Sequence, residues 1–439
     1  MYLVYSLAFT LGVILAAPYY LWRLGRNVTS VRWGERFGFL PPTIQQAERG
    51  AFWVHAVSVG ETLAVVPLVR EFQQSFPERK VFLSHITPAG LAAGEGRLPA
   101  VAGRFYAPLD WRCSARRALR RIQPAILLVV ETELWPHLLR AARQAGARVV
   151  LVNARISDQS FRRYRLFRFF MRHVLSGIDR ICAQTSLDAE RFRGLGARPD
   201  AVVVTGNLKF DAQPPQLGEF THLLGQTLQK TQRGPVMVAA STMPGEEALV
   251  LQAWDAIRAR HPRGLLILAP RHPARFDQVA ESLTAQRRSF LRRTALATSG
   301  LDWEPRVGPS EILLLDTVGE LAGIFELADV VFMGGSLVPT GGHNILEPAY
   351  WGKAILFGPH MHNFRDIAGL FLQEKAAVQV QSAQELSRRI LELMDDEVAR
   401  RQLGEKARQI VEQQSGATRR VLEHIRELLK TETPLHPRG

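Results

Sequence analysis

The chain has few cysteines and fewer acidic than basic residues. Of its 439 residues only Cys113 and Cys182 are cysteines, and they lie far apart. Two isolated thiols exclude a disulfide-stabilised scaffold and a cysteine-based zinc site, and they are compatible with a reducing compartment. Charged residues make up 22% of the chain and apolar residues 46%. This composition excludes a disordered chain and is typical of a packed globular protein.

The length of the chain predicts the number of domains, and the sign of its net charge indicates the kind of partner. A chain of 439 residues predicts two or three domains. The formal net charge of +14 favours acidic partners, such as an acidic metabolite, an anionic membrane or a nucleic acid. A basic surface without a partner is the alternative. No recognised nucleic-acid-binding module accompanies the charge, so we do not expect a nucleic acid as partner.

The first 22 residues contain no Asp, Glu, Lys or Arg. An apolar run of this length is about what a membrane-spanning helix requires. Four arginines follow the run, between Arg23 and Arg36, which is unlike a cleaved signal peptide and predicts that the rest of the chain is cytoplasmic. The sequence therefore predicts a membrane anchor over residues 1–22. A buried core helix and a helix that enters the membrane part-way are the alternatives.

Strand and helix patterns alternate in two stretches separated by the polar, proline-containing segment Asp211–Gln216. Short runs of Val, Ile and Leu between helical patterns predict parallel sheets covered on both faces. The fold class is therefore α/β, with two doubly wound, Rossmann-like domains that are expected to face a cleft. The predicted boundaries are 1–22 for the anchor, 23–212 and 213–430 for the two domains, and 431–439 for a tail. The predicted strands are 52–57, 81–84, 126–130, 149–152, 178–183 and 202–204 in the first domain, and 236–240, 265–269, 312–315, 330–333, 354–357 and 377–380 in the second.

A glycine-rich segment in the second domain indicates a nucleotide site. The strand pattern Val330–Met333 is followed by the turn Gly334-Gly335 and by Gly341–Pro348, where a helix is expected to begin near His343 or Asn344. Unpaired backbone N–H groups at such a turn and helix start suit a phosphate. Glu347 is placed to accept hydrogen bonds from ribose hydroxyls. The sequence predicts that this domain holds a nucleotide by its phosphate and its sugar.

Two more segments follow strands of the same domain, Pro270–His272 and Val318–Glu320. Arg271 can contact a phosphate or carboxylate in bidentate fashion, and His272 can cap the loop or contact a base. The backbone around Gly319 can approach a base. Each segment alone is also an ordinary loop or helix start. Together they indicate a site, because α/β sheets bind ligands at the carboxyl ends of their strands.

Carboxylates mark the strand ends of the first domain. Glu61 lies in the first turn of a helix, whose dipole is expected to keep it ionised, so it is a candidate base for an acceptor hydroxyl. Glu131 and Glu133 end a buried strand, where carboxylates are expected to have a charged partner or a function. Glu131 is expected to pair with an arginine, bind the acceptor or tune Glu61, and Lys209 near the linker is a candidate cation. Plain helix capping, a structural salt bridge and a surface lysine are the respective alternatives.

The segment Phe161–Arg172 interleaves five arginines with aromatic residues. This pattern suits an interfacial membrane helix or a site for an acidic lipid, and a helix docked on its own sheet is the alternative. His343 and Glu347 have helical spacing but lack a third ligand, so no metal site is predicted.

Taken in order, these motifs resemble those of the 3-deoxy-D-manno-octulosonic acid (Kdo) transferases, GT-B glycosyltransferases of family 30. The resemblance implies an acceptor-binding N-terminal domain, a CMP-sugar-binding C-terminal domain, CMP-Kdo as donor and a lipid A precursor (lipid IVA) as acceptor. It also implies inverting, metal-independent transfer without a cofactor, in lipopolysaccharide biosynthesis at the cytoplasmic side of the inner membrane. The resemblance covers essentially the whole chain and rests on Ser58–Glu61, Glu131–Pro136, Gly206–Asp211, Pro270–His272 and Gly341–Pro348.

The resemblance also implies a role for individual residues. Glu61 would be the general base, with Glu131 and Lys209 stabilising the transition state. Val318 stands where methionine is expected in relatives, and a backbone contact tolerates this change. Two other functions stay open: a GT-B glycosyltransferase that uses a UDP-sugar on a lipid acceptor, and a membrane-tethered basic protein that binds anionic lipid or nucleic acid. The residues expected to hold CMP are Arg271, His272, Val318, Gly319, Glu320, Asn344, Ile345, Leu346 and Glu347.

Overall fold

The chain forms two compact units, each built on one parallel sheet. The computed structural model describes residues 1–24, 32–42, 44, 50–212, 217–296 and 311–430, with only the backbone at 19–24. The first unit combines Met1–Ala212 with the chain from Gln414 onward, and the second is Gln213–Gln413. The predicted linker residues 213–216, the tail 431–439 and the side chains of Arg23 and Arg26 lie outside the described residues.

The sheet of the first unit has seven parallel strands in the order β3-β2-β1-β4-β5-β6-β7. Its central strand β4 consists almost entirely of Val, Leu and Ile and is buried along its whole length, as expected for a sheet covered on both faces. The strands are β1 (Ala51–His55), β2 (Val81–His85), β3 (Gly103–Tyr106), β4 (Pro124–Val130), β5 (Arg148–Ala154), β6 (Arg180–Ala183) and β7 (Val202–Val204). The helices before the second unit are α1 (Tyr2–Leu24), α2 (Trp33–Arg36), α3 (Val59–Ala64), α4 (Val66–Ser75), α5 (Pro88–Arg97), α6 (Arg112–Ile122), α7 (Pro136–Gln144), α8 (Asp158–Leu166), α9 (Arg168–Leu175) and α10 (Ser186–Gly194).

The second unit repeats this architecture with the strand order β10-β11-β9-β8-β12-β13-β14. Its strands are β8 (Val236–Thr242), β9 (Leu265–Pro270), β10 (Phe290–Arg292), β11 (Ile312–Leu314), β12 (Val330–Met333), β13 (Ala354–Phe357) and β14 (Val378–Gln379). Its helices are α11 (Glu219–Lys230), α12 (Glu246–Arg260), α13 (Phe276–Ala285), α14 (Leu321–Ile324), α15 (Leu346–Tyr350), α16 (Arg365–Gln373), α17 (Ala383–Asp395) and α18 (Glu397–Gln414), and α19 (Ala417–Lys430) follows.

The sequence patterns identify the central strands and miss two edge strands, β3 and β10. Both are short, and each includes an arginine, Arg104 in β3 and Arg292 in β10. An edge strand has solvent on one side and does not need the continuous apolar run of a central strand. The two missed strands therefore lack the signal from which the others were predicted.

The last helix, α19, belongs to the first unit and not to the second domain predicted over 213–430. Its apolar side chains Val421, Leu422 and Ile425 are buried in a core cluster of the first unit. Asp211 ties the start of the helix to this unit, because its carboxylate accepts hydrogen bonds from the backbone N–H groups of Gly416, at 2.6 Å, and Thr418. The periodicity over 383–429 predicts helix but does not reveal which sheet each part covers.

Helix α1 has one face that packs on the first unit and one face that is exposed. On the packed face, Tyr5 donates a hydrogen bond to Asp110 at 2.8 Å, and Trp111 donates one to Thr10 at 3.0 Å. Among the helices that the structure describes, none combines the length and apolar character needed to cross a membrane. The spanning anchor predicted over 1–22 is therefore not supported. The exposed large apolar residues of the other face are Leu3, Val4, Leu7, Leu11, Ile14 and Leu15.

Close packing inside the second unit predicts that replacing two helical glycines with alanine has opposite effects on stability. A Cβ atom at Gly404 in α18 would overlap the carbonyl oxygen of Gly352, whereas one at Gly369 in α16 meets nothing within 4 Å. We expect Gly404→Ala to lower the free energy of unfolding by roughly 1–3 kcal/mol through overpacking. Gly369→Ala is the matched control and should raise it by up to about 1 kcal/mol. Urea unfolding of both variants measures this, and a Gly404→Ala protein as stable as the control contradicts the packing.

Candidate active site

Glu61 lies in the first turn of α3, directly after the carboxyl end of β1, and is only 8% exposed. Its carboxylate accepts hydrogen bonds from the backbone N–H of Val57 at 2.8 Å and from the Ser58 hydroxyl at 2.9 Å. Ser58 caps the helix by accepting the Glu61 N–H at 3.4 Å. This Ser-x-x-Glu arrangement resembles a capping box and fixes the carboxylate at the sheet edge.

The protonation of Glu61 differs from the prediction. Burial raises the pKa of the Glu61 carboxyl to about 7, and repulsion from Glu131 and Glu133 acts in the same direction. The hydrogen bonds from Val57 and Ser58 oppose this shift without cancelling it. The expectation that the helix dipole tends to keep Glu61 ionised is therefore wrong, because burial outweighs it. A carboxylate with a pKa near neutrality is suited to accept a proton and to release it again.

Glu131 lies between two cations. Lys209 Nζ is 3.5 Å from its Oε1 atom, and Arg155 Nε is 3.4 Å from its Oε2 atom. Its backbone has a φ of +57°, in the left-handed region that a non-glycine residue rarely adopts. Such strain at the end of a buried strand is common at functional sites. Two of the expected alternatives hold, because Glu131 pairs with an arginine and also raises the pKa of Glu61.

Two residues that position this cluster were missed in the sequence, Asn153 and Arg155. Asn153 is fully buried at the end of β5, has a φ of +54°, and accepts the Leu208 N–H at 3.0 Å. This bond fixes the turn in which Asn207 accepts the N–H of Lys209, also at 3.0 Å. The available signal was a polar residue that ends a buried Val/Leu strand, the same signal that identified Glu131.

Glu133, the second carboxylate of the strand end, contacts the aromatic ring system of Trp135. Its Oε2 atom accepts a hydrogen bond from the indole N–H at 3.0 Å. Burial raises the pKa of Glu133 above its ordinary value, and the charge of Glu131 adds to this. Three carboxylates thus interact at one edge of the sheet, and Lys209 and Arg155 balance their charge.

In the second unit, one arginine and two histidines lie near the carboxyl ends of the strands. Arg271 and His272 are exposed directly after β9, and the Arg271 N–H donates to the Thr242 carbonyl at 3.0 Å. Burial lowers the pKa of His343 to about 4, and the charges of Arg271 and His272 contribute to this shift. The interaction shows that the segments 271–272 and 341–347 come close together, as the sequence predicts. An anionic ligand would be stabilised there.

The glycine-rich turn itself is already filled by a carboxylate. The backbone N–H groups of Gly335, Ser336 and Leu337 all donate to Glu246, at 2.6, 2.9 and 2.9 Å. The prediction that this turn presents unpaired donors to a phosphate is therefore wrong for these three groups. Sequence reasoning missed Glu246 because an acidic residue at a helix start is ordinary.

The predicted CMP contacts at 344–347 include both buried apolar and more exposed polar side chains. The helix α15 begins at Leu346, later than predicted, and Asn344 accepts the Leu346 N–H at 3.2 Å. Ile345 and Leu346 are buried, whereas Glu347 is exposed and accepts a hydrogen bond from the Asn344 amide at 3.2 Å. Only the polar groups of this segment, Asn344 and Glu347, and its backbone are placed to meet a ligand.

The Val318–Glu320 segment presents backbone more than side chain. Glu320 is held by Arg293 in a bidentate ion pair, with its shortest contact at 2.8 Å. Gly319 has a φ of +96°, and the Val318 side chain is 78% exposed. A ligand contact at Val318 stays a prediction. Within the described ranges of the chain, no group of three His, Cys, Asp or Glu residues is arranged to hold a metal ion.

Comparison with known proteins agrees with these motifs. Residues 31–212 match the family model described as 3-deoxy-D-manno-octulosonic-acid transferase (kdotransferase). The 3-deoxy-D-manno-octulosonic acid transferase of Bordetella pertussis is 36% identical over 440 residues, covering 97% of this chain and 99% of its own length. The enzyme of that name from Haemophilus influenzae is 33% identical over 402 residues, covering 91% of this chain and 92% of its own.

Solved structures agree on the fold. The UDP-GlcNAc 2-epimerase of Neisseria meningitidis, bound to UDP-GlcNAc, superposes with a TM-score of 0.56 at 12% identity. It covers 86% of this chain and 100% of its own. At this identity the likeness shows only the fold, a GT-B-like pair of parallel α/β sheets. The resemblance inferred from the motifs is confirmed by the relatives, and the chain belongs to the family of 3-deoxy-D-manno-octulosonic acid transferases.

Proposed function

We propose that this protein transfers Kdo from CMP-Kdo to a lipid A precursor during lipopolysaccharide biosynthesis. The observation that carries the proposal is the cluster around Glu61, a buried carboxyl with a pKa of about 7 beside the paired Glu131 and Lys209. Relatives whose names state this activity also match the chain over almost its whole length. Family membership favours this donor over a UDP-sugar.

The second unit supplies the donor site in this proposal. CMP-Kdo carries one negative charge on its phosphate and one on the sugar carboxylate. Arg271, His272 and His343 place cationic and hydrogen-bonding groups together at the strand ends. Asn344 and Glu347, which bond to each other at 3.2 Å, offer polar groups for the ribose and the phosphate. Electrostatic stabilisation of the phosphate is the main requirement, because CMP leaves as an anion.

Glu61 is the proton acceptor. The acceptor hydroxyl oxygen attacks the anomeric carbon of Kdo on the face opposite to CMP, and its proton passes to the Glu61 carboxylate. The bond between that carbon and the phosphate oxygen breaks, and the electron pair leaves with CMP, so the configuration is inverted. Lys209 and Arg155 form ion pairs with Glu131, and the charge of Glu131 raises the pKa of Glu61, which favours arrival of the proton at Glu61.

Mass spectrometry of a reaction with CMP-Kdo and a tetra-acylated lipid A precursor tests the function. We expect a product heavier by one or more Kdo units, with a rate that rises as the pH passes through about 7. Glu61→Gln should reduce the rate by at least about a hundredfold, because general base catalysis is lost, without affecting CMP binding. The matched control is Glu133→Gln, which removes a neighbouring carboxylate but leaves the proton acceptor. It should retain transfer, with the rise in rate moved to lower pH because Glu133 no longer raises the pKa of Glu61. Unused CMP-Kdo alongside consumption of a UDP-sugar contradicts the proposal.

The acceptor is a lipid, and the exposed face of α1 supports a position on the membrane surface. Leu7 and Leu11 on this face are 65% and 58% exposed. On the neighbouring helix α9, Phe170 stacks on Tyr5 with ring centroids 5.9 Å apart, and the adjacent Phe169 is 77% exposed. Five exposed arginines accompany these apolar residues, Arg162, Arg163, Arg165, Arg168 and Arg172. Apolar residues flanked by basic ones are typical of surfaces that insert between anionic headgroups.

We propose that the protein lies on the cytoplasmic face of the inner membrane, with α1 in the plane of the interface, and the exposed apolar and basic residues support this position. Co-sedimentation with vesicles of phosphatidylethanolamine and phosphatidylglycerol measures this. Replacing Leu7 and Leu11 with Glu together should weaken binding by more than about tenfold, since two buried leucines are lost from the bilayer. Val398→Glu in the second unit, at a residue 65% exposed, is the control and should bind like the unmodified protein. Equal sedimentation of all three proteins contradicts this position.

A further inference from the structure

Two adjacent carboxylates, Glu246 and Glu247, begin helix α12 just after the carboxyl end of β8. Neither residue belongs to a segment expected to touch the ligand. Glu246 is fully buried, and its two oxygens accept four backbone N–H bonds. Besides the three from the glycine-rich turn, Met243 donates one at 3.0 Å. A carboxylate is the side chain that can accept so many donors without donating itself.

The turn that Glu246 holds lies directly before the segment predicted to bind CMP. The carbonyl of Gly335 accepts the Gly342 N–H at 2.7 Å and the Thr340 hydroxyl at 2.9 Å. These bonds fold the loop back on itself, immediately before His343 and Asn344. The position of the predicted ligand contacts therefore depends on Gly335, and Gly335 is held by Glu246.

Glu247 holds the other donor segment. Its carboxylate forms a bidentate ion pair with Arg275, at 2.8 and 3.0 Å, and accepts the Thr242 hydroxyl at 2.9 Å. The N–H of Arg275 donates to the His272 carbonyl at 2.9 Å, which closes the turn after Arg271 and His272. This ion pair is largely shielded from solvent, with Arg275 15% and Glu247 12% exposed.

We propose that Glu246 and Glu247 are positioning residues for the donor, each holding one of the two segments that bind it. Glu246 fixes 335–342, and Glu247 fixes 271–275, from neighbouring positions on one helix. The inference rests on the proposed function for the identity of the donor. Because the segments are held before the ligand arrives, binding does not have to order them. Loss of either carboxylate lowers the fraction of molecules whose site is ready to bind, and the apparent affinity falls in proportion to that fraction.

Binding of CMP to the full-length protein, measured by calorimetry, tests the proposal. Glu246→Gln leaves backbone N–H groups facing an amide that also donates, so we expect the dissociation constant for CMP to rise about tenfold or more. In transfer assays, KM for CMP-Kdo should rise while kcat at saturating donor changes little. Glu247→Gln should have a smaller effect of the same kind, because glutamine still accepts one bond from Arg275.

Glu311→Gln is the matched control for a loss of stability alone. Glu311 is also buried, pairs with Arg258 at 2.7 Å and accepts the Ser289 N–H at 3.2 Å, but it lies at the amino end of β11. We expect it to lower the unfolding temperature while leaving CMP affinity unchanged. Hydrogen exchange should accelerate at 335–342 in Glu246→Gln and at 271–275 in Glu247→Gln, and in neither segment in the control.

The outcomes separate the inference from the function on which it rests. A wild-type protein that does not bind CMP overturns the proposed function. A wild-type protein that binds CMP, with folded Glu246→Gln and Glu247→Gln variants of equal affinity, overturns the positioning role alone. If Glu246→Gln does not fold, Glu246→Asp takes its place, because it keeps the charge but shortens the reach to 335–337. Arg275→Gln should raise the dissociation constant as Glu247→Gln does, and combining these two substitutions should add nothing further.

Discussion

A carboxylate buried at the edge of a sheet must be matched by hydrogen bonds or by charge, and both sites of this protein are built on that requirement. In the second unit the match is complete, because Glu246 accepts four backbone N–H groups and holds a loop in place. In the first unit it is incomplete. Glu61 accepts two hydrogen bonds but faces two other carboxylates, and its pKa rises to about 7 as a result of burial and repulsion. The same requirement gives a loop held in place in one unit and, in the proposed function, a proton acceptor in the other.

The cluster around Glu61 also shows how a fold supports an unfavourable arrangement of charge. Lys209 and Arg155 hold Glu131 by ion pairs, and the buried Asn153 fixes the turn that carries Lys209. Glu131 and Asn153 both adopt a left-handed backbone at the ends of adjacent strands. Such conformations cost about 1–3 kcal/mol each and persist where the surrounding structure fixes them. In the proposed function, this cluster supplies the base for an acceptor hydroxyl.

Much of the fold and of the site could be predicted from the sequence, because buried central strands are continuous Val/Ile/Leu runs and their ends carry the polar residues. Glu61, Glu131 and Arg271 were identified in this way. The edge strand β3 was missed since it has no such run, and the return of α19 to the first unit depends on which core buries Val421 and Ile425. The raised pKa of Glu61 and the filling of the glycine-rich turn by Glu246 arise from contacts between distant segments, which spacing along the chain does not reveal. The apolar composition of α1 did not reveal that one of its faces packs on the first unit through Tyr5 and Thr10.

The central claim is that Glu61 is a buried carboxyl poised near neutrality. Its titration can be followed directly by NMR on protein labelled with carbon-13 at the glutamate side-chain carboxyl, with the resonance assigned by its absence in Glu61→Gln. The account predicts a midpoint at about pH 7, well above that of an exposed glutamate. A midpoint in the ordinary glutamate range would contradict it, because Glu61 would then be a much weaker base than the account requires.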